Sequence, residues 1–203
     1  MNFNLPQALP LARRWRKPQA TDYPVDLIEH GLLQGGQPLL IRPIKPQDEG
    51  MELDFLRGLS AQTRYQRLLS PRKLLPGELH RLTHIDYRRE MALAALLGAS
   101  GQRRMAGVAR YVLDADGRSC DFAIVIADDL QGRGLGLRLM SSLLNAAQGA
   151  GVPRMEGITL ASNRGMLRLA RQLGFQTQAE PGDASVLRMR LDLARRKDGW
   201  FDL

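Results

Sequence analysis

Apolar residues recur along this chain in two rhythms, and the change from one to the other divides it. From Asp48 the spacing is helical: Leu53, Leu56 and Leu59 fall every three residues, and Leu79, Leu82 and Ile85 repeat the pattern behind Pro76. Between them Ser60 caps a further segment, Ala61 to Leu69, which Pro71 stops. After Asp86 the texture changes. Met91 to Leu97 is an unbroken apolar run, as in a strand covered on both faces. Ala99-Ser100-Gly101 turns the chain into a second strand, Met105 to Leu113. Asp114-Ala115-Asp116-Gly117 turns it again into a third, Ser119 to Ala127.

Helical spacing then returns at Leu135, Leu139, Leu143 and Ala147, closed by Gly149 and Gly151. Arg154 to Leu160 is the next strand. Asn163 is placed to cap a helix with Met166, Leu167, Ala170 and Leu173 inward and Gly174 as its stop. Ser185 to Leu193 alternates Leu187, Met189, Leu191 and Leu193 with Arg188, Arg190 and Asp192, the period of a strand with one wet face. Upstream, Leu39 to Ile44 is a short strand closed by Pro43 and Pro46. Residues 1–38 are punctuated by prolines and glycines and predict an arm or linker with one helical turn at Val25 to His30. The expectation is an α/β (α+β) domain over residues 39–193, a mostly antiparallel sheet flanked by helices. Residues 194–203 form a basic tail ending near Trp200 and Phe201.

Composition narrows this picture a little. With 203 residues, 44% of them apolar, the chain can bury a core of ordinary size. No apolar run opens it, so neither a signal peptide nor a membrane span is expected. The single cysteine, Cys120, rules out an intramolecular disulfide and fits a reducing, cytoplasmic setting. A net charge of +8 is compatible with nucleic acid, an acidic protein or an anionic cofactor. Only 5% of residues are aromatic, and the basic cluster Arg13 to Lys17 lacks the interleaved aromatics of a base-stacking surface. It is expected to be a solvated arm, and a nucleic-acid partner is disfavoured.

The stretch that changes the picture most is Gln131-Gly132-Arg133-Gly134-Leu135-Gly136, between the third meander strand and a long helix. The first N–H groups of a helix have no intrahelical partner, and its dipole adds positive potential at the same place. Three glycines remove side chains that would hold a phosphate off that backbone, so the pattern predicts an anion cradle. No Gly-Lys-Ser/Thr follows, which excludes a Walker A loop. Leu137 stands where a dinucleotide fingerprint needs its last glycine, and a meander precedes the loop in place of a first βα unit.

AIVIADDLQGRGLG, followed by a leucine-rich helix, resembles the Gln/Arg-x-x-Gly-x-Gly/Ala signature of the GNAT acetyltransferases, and ASNRGMLRLARQLGF resembles that family's next motif. LLIRPIKPQDE, LSAQTRYQRLLSP, LTHIDYRREMALAAL and GVARYV are similar to the acetyltransferase domain of Pat-type protein lysine acetyltransferases. The arm with Tyr23-Pro24 and Gly35-Gly36 corresponds, on this resemblance, to the linker that follows a larger region in many of those proteins.

The resemblance implies acetyl-CoA as co-substrate, with main-chain groups of Ile124, Val125 and Ile126 along the pantetheine and acetyl carbonyl. It implies Gln131, Gly132, Arg133, Gly134, Leu135 and Gly136 at the pyrophosphate, and an N–H near Ile126 facing the oxyanion. Asn163 would contact the cofactor arm, or serve only as an N-cap. Pat-like domains carry Glu-Phe-Ala on the strand before the loop; here Asp121-Phe122-Ala123 stands there. Asp121 is thus the candidate general base, on a stem one methylene shorter, acting directly or through water; its other reading is a solvated strand-start residue. Many relatives place a tyrosine acid on the later helix where this chain has Ala170.

The implied reaction is direct acetyl transfer to an amine, above all a protein lysine, with an acyl-CoA synthetase among the conceivable protein partners. A small amine, or a non-catalytic acetyl-CoA sensor, remains as the alternative. A polyamine acceptor is disfavoured by the +8 charge. No metal is expected: His80 and His84 have ligand spacing, but Arg81 stands where the zinc-protease pattern needs glutamate, and the sequence suggests no third ligand. Cys120 has no histidine near it in sequence and is expected to be a buried small hydrophobe. Glu90 cannot be placed from the sequence.

Overall fold

The computed structural model describes residues 23–68 and 76–196. The basic cluster at Arg13 to Lys17 and the expected contact of Trp200 and Phe201 lie outside the described residues. The strands are β1 (Glu29–Leu33), β2 (Gln37–Pro43), β3 (Glu90–Leu97), β4 (Arg104–Leu113), β5 (Cys120–Ile126), β6 (Arg154–Leu160), β7 (Gln176–Glu180) and β8 (Asp183–Asp192). The helices are α1 (Glu49–Gly58), α2 (Ala61–Leu68), α3 (Pro76–Thr83), α4 (Leu135–Gly149) and α5 (Arg164–Gln172). One sheet runs in the order β1-β2-β3-β4-β5-β6-β8-β7, antiparallel at every pair except the parallel β5–β6.

Strand alternation assigns the two faces. A side chain built on Gly107 would meet Ile126 and Leu139, so Gly107, Ile126 and α4 share a face. Arg110 instead reaches Glu52 of α1, which puts Arg110, Val112 and their neighbours on the face covered by α1, α2 and α3. Leu135, Leu139, Met140, Leu143, Leu144 and Ala147 of α4 are all fully buried. Each such leucine stabilises the domain by about 1.5–3 kcal/mol. The four-residue spacing places one complete face of α4 on the meander, and β3 is buried from Met91 to Leu97 as its unbroken run requires.

Two expectations are corrected, and one strand appears where the sequence pattern gave no sign of it. The helical turn at Val25 is a single 3-10 turn, Val25–Leu27, and Glu29–Leu33 then joins the sheet as β1, so the sheet reaches into the segment read as an arm. Gly35 and Gly36, both at positive φ, close the β1–β2 hairpin, and Tyr23 docks by donating its hydroxyl to the Pro43 carbonyl at 2.7 Å. The buried side of α1 is centred on Glu52, Phe55 and Leu59, with Leu53 and Leu56 only half-buried, because Glu52 turns inward to meet Arg110. Finally β7 has no apolar alternation, yet it pairs with β8 along its length as an edge strand.

Candidate active site

The ladder between β5 and β6 is short. It pairs Cys120 with Met155 and Asp121 with Glu156, and there it ends. Immediately beyond, the Phe122 ring lies over Gly157, where an added Cβ would come within 2.6 Å of it, and packs on Phe175 at 5.0 Å between ring centroids. An aromatic side chain wedged at this level separates the two parallel strands as they run toward the glycine loop. A cavity of about 60 Å³ opens between them, lined by Phe122, Ala123, Ile124, Ile158, Thr159 and Met189. Gln66 of α2 borders it from one side of the sheet, while Asn163 and Met166 border it from the α5 side. The cavity therefore runs through the sheet.

Parting leaves one edge of β5 without a strand partner. The Ala127 N–H donates to Ala106 of β4 at 2.9 Å, and alternation then turns the peptide groups of Val125 and Ala123 toward β4 as well. Those of Ile124 and Ile126 face the cleft. Gln131 donates from Nε2 to the Ile126 carbonyl at 3.2 Å and to Thr63 Oγ1 at 3.3 Å, so its side chain braces the cleft mouth. Asp128 accepts from the Ser60 N–H and hydroxyl and from Thr63 Oγ1, which fastens the start of α2 to the turn after β5.

The glycine loop leads directly into α4. Gly132 and Gly134 lie at φ 75° and 82°, values that L side chains resist, and a Cβ on either would meet open space. The Arg138 N–H bonds the Gly134 carbonyl at 3.1 Å, so the N–H groups of Leu135, Gly136 and Leu137 point out of the helix end. Gly136 is helical, and a Cβ there would make only ordinary contacts, 3.6 Å to Leu169 and 3.7 Å to Ile126. Neither backbone strain nor packing demands glycine at 136. Arg133 is exposed beside this end.

Asp121 stands on the opposite face from Ile124 and Ile126, in register with Val112 of β4 and Glu156 of β6. Solvent reaches it, yet burial and the charges of Asp114 and Glu156 raise its pKa above the ordinary aspartate value, against a lowering by Arg188. Glu156 is itself held among Arg154, Arg188 and Arg190 at 3.5–3.6 Å. Glu90, which the sequence could not place, lies on the same cross-strand row: Glu90 pairs with Val112, and Val112 with Asp121. Its carboxyl is pushed up to about 6 by burial and by Asp86, despite Arg110. Asn163 caps α5, accepting the Met166 N–H at 3.0 Å, and lines the cleft as well. Ala170 is fully buried. Cys120 is buried too, its thiol pushed up to about 12 by burial and by the Asp121, Asp114 and Glu156 carboxylates, which makes it inert.

The model of the acetyltransferase (GNAT) domain family matches residues 38–176. An acetyltransferase of Pseudomonas aeruginosa is 37% identical over 162 residues, 79% of this chain and 87% of that protein. The acetyltransferase Pat of Mycolicibacterium smegmatis is 31% identical over 140 residues, 68% of this chain; the match spans 41% of Pat. Among solved structures, the GNAT domain of S. lividans PAT superposes with a TM-score of 0.75 at 24% identity, over 84% of this chain and 99% of that domain.

Proposed function

Because the chain belongs to the GNAT acetyltransferase family, we propose that the acceptor of its N-acetyltransferase activity is a lysine side chain presented by another protein. The observation that carries the chemistry is the cleft between β5 and β6, which starts at Phe122, next in the chain to Asp121, and is lined by Ala123 and Ile124 on the strand that leads to the glycine loop; the 31% identity to Pat supports a protein acceptor. Acetyl-CoA, the donor used by this fold, supplies a thioester carbon open to attack by an amine. Leu135, Gly136 and Leu137 would present N–H groups to its pyrophosphate, with Arg133 beside them. Ile124 and Ile126 offer strand-like pairing along the cleft, and an N–H at Ile126 would face the oxyanion, in the manner of a fixed dipole aimed where charge develops.

On the other face Asp121 takes the proton of the incoming ammonium, directly or through a bridging water. The freed amine attacks, a C–N bond forms, and as the C–S bond breaks the nitrogen gives up its second proton, through solvent, to the departing sulfur, which leaves as the thiol. With Ala170 buried where relatives carry a tyrosine, no side chain here is assigned to protonate the sulfur. The opening between the strands, about 60 Å³, is narrow and admits an unbranched alkylamine such as a lysine side chain. The test is incubation with acetyl-CoA and either a panel of bacterial acyl-CoA synthetases or a panel of small amines. Acetyl-lysine detected by peptide mass spectrometry is the expected result, and turnover confined to the small amines would overturn the protein acceptor.

The cradle makes a separable prediction. Glycine inside a helix is about 1 kcal/mol less favourable than alanine, and Gly136 has room for the methyl. Gly136→Ala is expected to leave the melting temperature unchanged or raised. The signature accepts alanine at this position, so the KM for acetyl-CoA should stay within about twofold of the parent, whereas Gly136→Glu, which sets a carboxylate against the incoming pyrophosphate, should raise it at least about tenfold. Unchanged KM in Gly136→Glu would show that the pyrophosphate lies elsewhere.

A further inference from the structure

The structure supplies what the sequence could not: a third group beside His80 and His84. Glu49, in the first turn of α1, meets the end of α3 so that one ligand atom from each of the three residues lies within 4.8 Å of the other two. Glu49 Oε2 is 3.3 Å from His80 Nδ1 and 3.9 Å from His84 Nδ1. The two imidazoles stack, with centroids 3.6 Å apart and planes 26° from parallel. His84 Nδ1 is 3.0 Å from the His80 carbonyl. A carbonyl only accepts, so Nδ1 carries the proton and Nε2 presents its lone pair outward. This is the arrangement in which a metal-bound histidine is fixed by its second nitrogen.

We propose that Glu49, His80 and His84 form a zinc-binding site that ties α1 to α3. Two imidazoles and a carboxylate are a borderline-soft donor set suited to zinc. Ligand atoms around a tetrahedral zinc, at bond lengths of about 2.0–2.2 Å, stand roughly 3.4 Å apart. Glu49 Oε2 and His80 Nδ1 already have that spacing, His84 keeps its Nδ1–H on the His80 carbonyl and offers Nε2, and the half-exposed Glu49 side chain can rotate to close the remainder. Water completes the coordination on the open side. The tie has a structural consequence. Glu52 of α1 and the Leu82 carbonyl of α3 both bond Arg110, so zinc would lock the two helices that clamp this arginine.

The test titrates zinc chloride into the tag-free, metal-stripped full chain by calorimetry. One equivalent is expected to bind at micromolar or tighter affinity. Saturating zinc should raise the melting temperature by roughly 5–10 °C at a hundredfold excess over Kd. Glu49→Gln should weaken binding at least about tenfold, and His80→Gln with His84→Gln should abolish it. His30→Gln, at the remaining histidine of the chain, should change nothing. His80 is more than half exposed, so these variants are expected to fold, and circular dichroism of the metal-free forms checks that. No saturable binding up to 100-fold excess of metal (on the order of the range used for linkage) overturns the site, and so does binding that survives the double histidine variant. Acetyl transfer is not the readout, so the outcome is independent of the acceptor proposal.

Discussion

Replacing Asp121 by asparagine is expected to lower kcat about 10²–10⁴-fold, the contribution of a positioned general base, while the KM for acetyl-CoA changes by less than about twofold. The split follows from the geometry. Asp121 lies on the face covered by α1 to α3, whereas Ile124, Ile126 and the α4 end that would hold the donor lie across the sheet. The pH profile adds a second check. A base works deprotonated, so kcat/KM rises with pH through the pKa of Asp121. Burial, Asp114 and Glu156 raise that pKa, so the acidic limb should lie above the range of an ordinary aspartate. Glu156→Gln removes one neighbouring negative charge and leaves Arg188, which itself lowers the pKa, less neutralised. The limb should then move to lower pH. Asp121→Glu, restoring the longer stem of the Pat-like pattern, should retain activity. Steady-state kinetics from pH 5 to 9 (about the span that carboxylate and amine titrations require) decide it: undiminished turnover in Asp121→Asn would remove Asp121 from the chemistry.

The parts of the fold that were legible in the sequence are those whose signals are local. The meander announced itself through the apolar run of β3 and the Asp114–Gly117 turn, α4 through its leucine spacing, and the turn between β5 and α4 through its glycines, of which Gly132 and Gly134 have positive φ. What escaped depends on partners distant in the chain. β1 and β7 are edge strands with little apolar content, and the register of a neighbour makes them strands. The parting of β5 from β6 is written in Phe122 and Gly157, but a ring over a glycine is invisible until the two strands are paired. Glu90 and Asp121 share a row only through Val112, and Glu49 meets His80 only because α1 packs on α3. The faces of helices are legible when leucine fills them. They mislead where a charged residue is buried, as Glu52 is on α1.

That buried glutamate sets up the largest expected change in stability. Arg110, from the middle of β4, donates to Glu52 at 3.1 Å and to the Leu82 carbonyl at 3.3 Å; the side chains of Arg110 and Glu52 are 8% and 3% exposed. Two charges brought out of water gain little net stability as a pair, because desolvation opposes their attraction. Removing Arg110 is different, since Glu52 stays buried and loses the counter-charge that Arg110 brings to it. Arg110→Met is expected to destabilise the domain by about 3–5 kcal/mol, which for a chain of this size lowers the melting temperature by roughly 6–20 °C. Glu52→Leu combined with Arg110→Met should recover most of that loss, because the buried carboxylate is removed together with the arginine that faced it. Thermal unfolding of the two variants separates the accounts. If Arg110→Met alone unfolds within about 0.5 kcal/mol of the parent, the range of ordinary surface substitutions, the pair is not what holds α1 and α3 on the sheet. If the double variant is no better than the single, the loss comes from Arg110's packing and its bond to Leu82, and the charge pair contributes little.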